Sequence, residues 1–443
     1  MSSPTSPETS TPPQAEHDNA TTTKSSPGRT FMVSGLGTAL EYYDFSIYGL
    51  AAALVFPAVF FPNLSPMVGS LVAFAAFGVG FIARPLGGIV LGHLGDRIGR
   101  KPVLVATLIV MGACTFLIDC LPGAAVLGNA AAVILVVLRL IQGFAAGGEW
   151  GGASLVGIEG APEGKRGLWG SFTSMGIGLG TLLGTIVFAI VSALEGGAIS
   201  DFGWRIPFWA GGLLVIVGLI ARLKLPTEEP NRDEKPAKIP LMDAIRERPR
   251  AVLCAIGVSF GYNTIAYIVS VFFLAYVAKA GYSSTTSLVF QIFSASALLL
   301  SALFFGWLSD RWGRKRVMIG GAAALIVFFF VFFPVVGLHA TALTALTFVM
   351  VGAVTGATQG PLPSLLGEQF PARMRFSGIS VTYQVGAAIG GGTASTVATA
   401  LLIGFNGNPI GVALYASAAA LILALCVLGL RETSHLSVEE INA

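Results

Sequence analysis

Hydrophobic residues along this chain come in long unbroken runs rather than in the short alternating stripes of a water-soluble domain. Twelve such runs lie near residues 31–61, 67–92, 102–121, 126–157, 167–194, 204–225, 251–278, 284–307, 316–337, 340–366, 376–403 and 409–430. Each is long enough to cross a hydrocarbon core of about 30 Å. The expected fold is an all-α membrane protein of twelve transmembrane helices. Residues 1–30, rich in Ser, Thr and Pro, bury too little apolar surface to order themselves. They lack the basic lead, short apolar core and cleavage site of a signal peptide, so a tail is expected. Charged residues fill 226–250, with one amphipathic turn around Leu241–Arg248. The expected division is a tail (1–30), a six-helix bundle (31–225), a linker (226–250), a second six-helix bundle (251–430) and a tail (431–443).

The two halves repeat. Gly92-His93-Leu94-Gly95-Asp96-Arg97-Ile98-Gly99-Arg100-Lys101 returns as Gly306-Trp307-Leu308-Ser309-Asp310-Arg311-Trp312-Gly313-Arg314-Lys315, with seven of ten positions identical. Glu159-x-x-Pro162-x-x-x-Arg166 returns as Glu368-x-x-Pro371-x-x-x-Arg375. Self-similarity at this spacing is the footprint of two pseudo-symmetric bundles of a secondary transporter. The decapeptides read as short, tightly turned, solvated connections. Asp96 sits where the next helix presents its positive N-terminal end, which favours an acid. Arg97, Arg100 and Lys101 have the reach to find Glu159 or neighbouring helix C-termini. A conformation-dependent latch is expected from Asp96, Arg97, Arg100, Glu159 and Arg166 in one copy. Asp310, Arg311, Arg314, Glu368 and Arg375 supply the other. Positive-inside topology alone would need neither the acid nor the reused glycines.

The composition agrees with a lipid solvent: 54% hydrophobic, 11% charged, mean hydropathy +0.77. Soluble chains carry about 25% charged residues. A net charge of +3 gives no reason to expect a nucleic-acid partner. With both termini in the cytoplasm, 22 of the 26 Lys and Arg fall inside, two outside (Arg205, Lys279) and two within the membrane, which sets the orientation. Cys114, Cys120, Cys254 and Cys426 have no ligand-like spacing, so neither a metal site nor a disulfide framework is expected.

Five ionisable residues lie deep in apolar runs: Glu41, Asp44, Arg84, Arg139 and Glu149. Each costs about 2.5–3.5 kcal/mol at a helix centre, so they persist only if paired or facing a wet cavity. At about 100° per residue, Glu41, Asp44 and Tyr48 share one stripe, and Arg139, Gln142 and Glu149 another. Both stripes are expected to face one central cavity. Three acids against two bases leave a surplus carboxylate, which low dielectric disfavours as an anion. It is expected to carry a proton, with Asp44 or Glu41 ahead of Glu149; a static packing network is the competing reading. Arg84 either snorkels to the interface or meets an anionic solute, and Arg205 either anchors beside Trp204 or attracts substrate. The second half offers neutral hydrogen-bonding groups instead: Tyr262, Asn263, Tyr267, Gln291, Gln359, Tyr383 and Gln384. Some of these are helix glue and the rest suit the oxygens of a small polar solute. Gly176, Gly178, Gly180 and Gly184, and Gly386, Gly390, Gly391 and Gly392, stripe the fifth and eleventh runs, while Pro361 and Pro363 should bend the tenth.

With these residues in view, the chain resembles a transporter of the major facilitator superfamily over residues 31–430. The duplicated Gly-x-x-x-Asp-Arg-x-Gly-Arg-Lys loop carries the resemblance, and Arg139-x-x-Gln142-Gly143 resembles a motif whose arginine is associated with proton coupling. Glu41-Tyr42-Tyr43-Asp44-Phe45 with Tyr48-Gly49, Arg84-Pro85-Leu86-Gly87-Gly88, Gly147-Gly148-Glu149-Trp150-Gly151-Gly152-Ala153 and Trp204-Arg205-Ile206-Pro207-Phe208 resemble the metabolite:H+ symporter family. That resemblance implies proton-driven import of a small organic acid, a di- or hydroxy-carboxylate of the shikimate or α-ketoglutarate kind. It also makes Arg84 and Arg205 candidates to grip a carboxylate. Proton coupling is assigned to Glu41, Asp44, Arg139 and Glu149. Substrate binding is assigned to Tyr48, Arg84, Gln142, Arg205, Tyr262, Asn263, Tyr267, Gln291, Gln359, Tyr383 and Gln384.

A proline or betaine symporter is the alternative, weakened by the absence of heptads after Arg431. Gly180 is followed by Thr181 rather than Pro, which argues against drug export. A sensor would need an output domain for which the linker and tails are too short. An enzyme would need a nucleophile with a base or metal-spaced carboxylates. The expected protein is a monomeric permease of the plasma membrane without a cofactor.

Overall fold

A computed structural model describes residues 28, 31–98, 100–147, 149–196, 199, 202–223 and 240–442. The expected N-terminal tail, residue 28 apart, and the linker up to residue 239 lie outside them, as do the side chains of Asp96, Arg97, Arg100 and Glu149. Among the described residues there are helices and turns only.

Twelve spanning segments form in chain order. The first half holds α1 (Leu36–Leu54, entered through a π-helical turn Phe31–Gly35), α2 (Pro66–Ile98), α3 (Arg100–Asp119), α4 (Asn129–Ala146 and Glu149–Glu159), α5 (Arg166–Leu194) and α6 (Arg205–Leu223). The second holds α7 (Pro249–Tyr267, a π turn Ile268–Phe272, and Phe273–Lys279), α8 (Ser284–Trp312), α9 (Arg314–Gly337), α10 (Thr341–Gln359 and Leu362–Gly367), α11 (Ala372–Ile389 and Gly391–Gly404) and α12 (Ile410–Gly429). Among the described residues, nine of them are long and apolar enough to cross a membrane, and α3 and α6 contribute the shorter apolar stretches Val105–Asp119 and Arg205–Ile220. The remaining one, α1, buries Glu41 and Asp44.

Chemistry explains the breaks. α10 stops at Gln359 and restarts at Leu362, where Pro361 and Pro363 cannot donate to the preceding turn. In α11 the break is at Gly390, which lies so close to α7 that a Cβ there would sit 2.4 Å from the Phe260 carbonyl oxygen. The short helix Pro240–Glu247 is the amphipathic turn expected at the end of the linker.

The halves meet along two seams, α5 with α8 and α2 with α11. These seams are equivalents under the repeat, since α5 corresponds to α11 and α2 to α8. Both depend on glycine. A Cβ on Gly78 would lie 1.8 Å from the Gly392 carbonyl oxygen, and one on Gly167 would lie 2.5 Å from that of Gly306. Small residues of this kind let helix backbones approach closely.

The second copy of the decapeptide is the short, tight turn expected, but it is less solvated than expected. α8 continues to Trp312 and α9 begins at Arg314, so the connection is the single residue Gly313, at φ +98°. It is solvated only in part: Arg311 and Trp312 are exposed, whereas Arg314 is 1% exposed and Ser309 0%. Asp310 and Arg314 turn inward because partners from other helices await them there.

Candidate functional site

On α1, successive residues divide the work. Tyr42, Phe45 and Ser46 line a cavity of about 60 Å³ between the halves, shared with Thr181 of α5, Tyr262, Asn263, Tyr267 and Ser270 of α7, Gln291 and Ser294 of α8, and Thr355 and Gln359 of α10. That is room for a few water molecules, well below the about 300–1,000 Å³ of a loaded ligand site. Glu41 and Asp44 face the other way and border a separate space of about 10 Å³ with Leu108, Met111 and Val215. The expectation of one cavity shared by all the charges is thereby revised. An acid one position along from Tyr42 or Phe45 is turned by about 100°, which aims it at α2–α4 and α6.

There the charges are paired. Asp44, 5% exposed, accepts hydrogen bonds from the Thr115 hydroxyl and the Gln142 amide. Gln142 in turn accepts from Arg139 Nη1 at 2.6 Å and donates to Thr115 at 2.8 Å. Arg84 Nη2 lies 3.4 Å from Glu41 Oε1, so it neither snorkels nor reaches the cavity. The two guanidinium groups lie over the Phe45 ring, at 3.9 Å for Arg84 and 4.6 Å for Arg139. Arg139 also covers Tyr48 at 4.1 Å, and Tyr48 lies outside the cavity lining. Arg84 Nε and Arg139 Nε and Nη2 have no partner. Orphaned donors of this kind cost about 1–3 kcal/mol each and mark the network as incompletely satisfied. The Phe45 ring, which both guanidinium groups cover, also lines the cavity and so touches both.

The second half closes over this arrangement. The Tyr42 and Tyr383 hydroxyls are 2.9 Å apart, and Tyr383 stacks on Trp150 at 3.4 Å. Gln384 donates to the Gly147 carbonyl at 2.9 Å, which leaves it a helix-to-helix bond outside the cavity. Gln359 donates to the Ser174 carbonyl at 3.0 Å. Arg205 stands apart: it stacks on Trp204 at 4.5 Å and donates to the Leu121 carbonyl at 2.9 Å. The structure places it with the anchor alternative.

Both ends of the seam are bridged. At one, Lys279 donates to Ser70 at 2.9 Å and the Ser192 and Thr285 hydroxyls are 2.8 Å apart. At the other, basic end, Asp310 accepts the main-chain N–H groups of Gly167 at 2.7 Å and Leu168 at 2.9 Å, plus Arg314 Nη1 at 2.7 Å. Arg314 and Arg166 both pair with Glu368, at 3.3 and 3.4 Å, and Arg375 reaches Glu159 at 3.7 Å. Arg311 is not part of this cluster and lies over Trp307 at 4.2 Å.

The acid of the repeated motif thus serves a different helix from the expected one. Asp310 caps α5, in the other half, while the N-terminus of α9 is capped by Glu432, whose carboxylate accepts from Arg314 and Lys315 N–H at 3.0 Å each. Burial alone would raise the Glu432 carboxyl; the N–H donors of Lys315, Arg314 and Ser434 outweigh it and hold it below the usual range. Glu432 and Thr115 escaped the sequence reading, and Tyr42 and Trp150 stood within quoted motifs without a role of their own. The tail acid left a signal as the first carboxylate past the last apolar run; Thr115 left none.

The sequence of these two half-bundles matches the family pattern of the Major Facilitator Superfamily over residues 34–395 and 300–439. The chain belongs to that superfamily. Within the superfamily it is 37% identical to a shikimate transporter of Escherichia coli over 94% of this chain and 98% of that one. It is 34% identical to an inner membrane metabolite transport protein of the same organism (96% and 98% covered), and 33% to an ectoine/proline transporter of Corynebacterium glutamicum (90% and 83%). The superfamily fold is shared with the E. coli proton:xylose symporter XylE at a TM-score of 0.71, 18% identity, covering 94% of this chain and 98% of that one. This is a multi-pass membrane transport protein and not an enzyme.

Proposed function

We propose that the protein imports a small organic acid together with protons, by alternating access, with its basic end and both termini in the cytoplasm. One observation carries the reading. Two guanidinium groups, each tied to a buried acid network and none of the four groups more than 5% exposed, lie over a single ring that also lines a cavity between the two halves. Charge buried at such cost is held for use. A proton arriving at Asp44 would weaken its hold on Gln142 and free Arg139, and Phe45 would pass that change to the solute site. Arg84 and Arg139, with unmade hydrogen bonds, are the cations nearest the cavity for a carboxylate that displaces the ring. Likeness to a shikimate transporter supports a hydroxylated carboxylate as the cargo.

A zwitterion symporter is the second reading. The rings of Tyr42, Phe45, Tyr262 and Tyr267 line the cavity while no charged side chain does, which suits a quaternary ammonium. The test is uptake into proteoliposomes of radiolabelled shikimate, 2-oxoglutarate, proline and betaine, with and without an inward proton gradient. Uphill accumulation of an acid that Asp44→Asn abolishes, while solute exchange at equilibrium continues, is the expected result. Accumulation indifferent to the gradient would remove proton coupling.

A further inference from the structure

Among the residues lining the central cavity, four polar atoms lack any partner: the Tyr267 hydroxyl, Gln291 Oε1, the Thr355 hydroxyl and Gln359 Oε1. All four belong to α7, α8 and α10, on side chains at most 8% exposed. The α1 wall offers nothing comparable, because the Tyr42 hydroxyl is taken up by Tyr383 and the Ser46 hydroxyl by the Thr181 carbonyl. The orientation of the Gln359 amide is fixed by its surroundings. Its Nε2 faces the Ser174 carbonyl, which can only accept, so Oε1 is the end turned elsewhere. Native interiors rarely strand buried polar atoms, and four on residues that line one cavity call for a ligand that supplies the missing partners, donors for the two amide oxygens and donors or acceptors for the two hydroxyls.

We propose that this wall reads hydroxyl groups on the solute. Gln359 and Gln291 accept from solute O–H groups, Thr355 and Tyr267 pair with the same or neighbouring oxygens, and the carboxylate points the opposite way, toward Phe45 with Arg84 and Arg139 behind it. The ligand class is a compact acid carrying two or more hydroxyls at the end remote from its carboxylate. Betaine has no hydrogen to donate and 2-oxoglutarate ends in a second carboxylate, so each would leave the acceptors stranded or repelled. The orientation of the carboxylate rests on the proposed function; the hydroxyl wall stands without it.

The test is equilibrium binding to the purified full chain, with no gradient, of shikimate, cyclohex-1-ene-carboxylate (the same ring without hydroxyls), 2-oxoglutarate and betaine. Shikimate should bind about 50-fold or more tighter than the bare ring acid, since a site built for hydroxyls rejects analogues lacking them. Thr355→Val and Gln291→Met, both close in volume, should each weaken shikimate about tenfold and leave the bare ring acid unchanged. Equal binding of the two ring acids, equal weakening of both by the substitutions, or tighter binding of betaine or 2-oxoglutarate would overturn the proposal. Because binding is read without protons being driven, intact binding with no uphill uptake would count against coupling alone.

Discussion

Replacing Asp310 with Asn tests the basic-end latch most directly. The carboxylate accepts three hydrogen bonds at 2.7–2.9 Å, two of them from the first turn of a helix in the opposite half. Hydrogen bonds to a charged group contribute about 1.5–3 kcal/mol each, and an anion at a helix N-terminus about 0.3–2 kcal/mol. The amide keeps one acceptor, turns its NH2 against a second donor and no longer neutralises Arg314, which retains Glu368 at 3.3 Å. The net loss is about 2–4 kcal/mol, a shift toward the open basic end of about thirty- to several hundred-fold, at 1.4 kcal/mol per tenfold. The assay is alkylation of a single cysteine at Ser294, which lines the cavity, in a chain freed of Cys114, Cys120, Cys254 and Cys426. A membrane-impermeant maleimide is added to vesicles with the basic end outward. Labelling should accelerate in Asp310→Asn and stay at the parental rate in Arg311→Gln, whose guanidinium lies over Trp307. Labelling of Asp310→Asn at the parental rate would refute the latch.

Gly78→Ala should abolish transport while leaving the helices intact, because its Cβ would meet the Gly392 carbonyl at 1.8 Å and force the halves apart, whereas Gly37→Ala meets nothing within 4 Å and should transport normally. Uptake and circular dichroism of both variants check this; active Gly78→Ala would show that the α2–α11 seam need not close. The Glu432 carboxyl is held down by main-chain donors, so the stability it lends is present at neutral pH and is lost as pH falls through its depressed folded value. A fluorophore at Ser437→Cys should report release of the tail only at strongly acid pH, and at every pH in Glu432→Gln; identical acid profiles for the two would refute the cap.

Much of the architecture could be read before any coordinates, because the features that define it are side chains at regular intervals. The repeat exposed Asp310, Arg314 and Glu368, and the stripes of α1 and α4 brought Asp44, Arg139 and Gln142 to one place. Helical periodicity, however, places a residue on a face without saying which neighbour that face meets. Glu41 and Asp44 were accordingly expected to share the solute cavity, when Tyr42 and Phe45 occupy that side. The target of Asp310 was hidden for another reason. Main-chain N–H groups exist at every residue but proline, so nothing in the letters at 167 and 168 marks them as its partners. Tyr42 with Tyr383 is a contact across 341 positions, and no local pattern announces it.

A bond made to main-chain donors has an unusual genetics. Ion pairs betray themselves when both charges are exchanged and function returns, but at Gly167 and Leu168 there is no charge to exchange. Reverting mutations of a damaged Asp310 should therefore never map to those two positions. They should appear instead wherever the opposite gate, held by Ser70 and Lys279, can be weakened until the two ends of the molecule are again in balance.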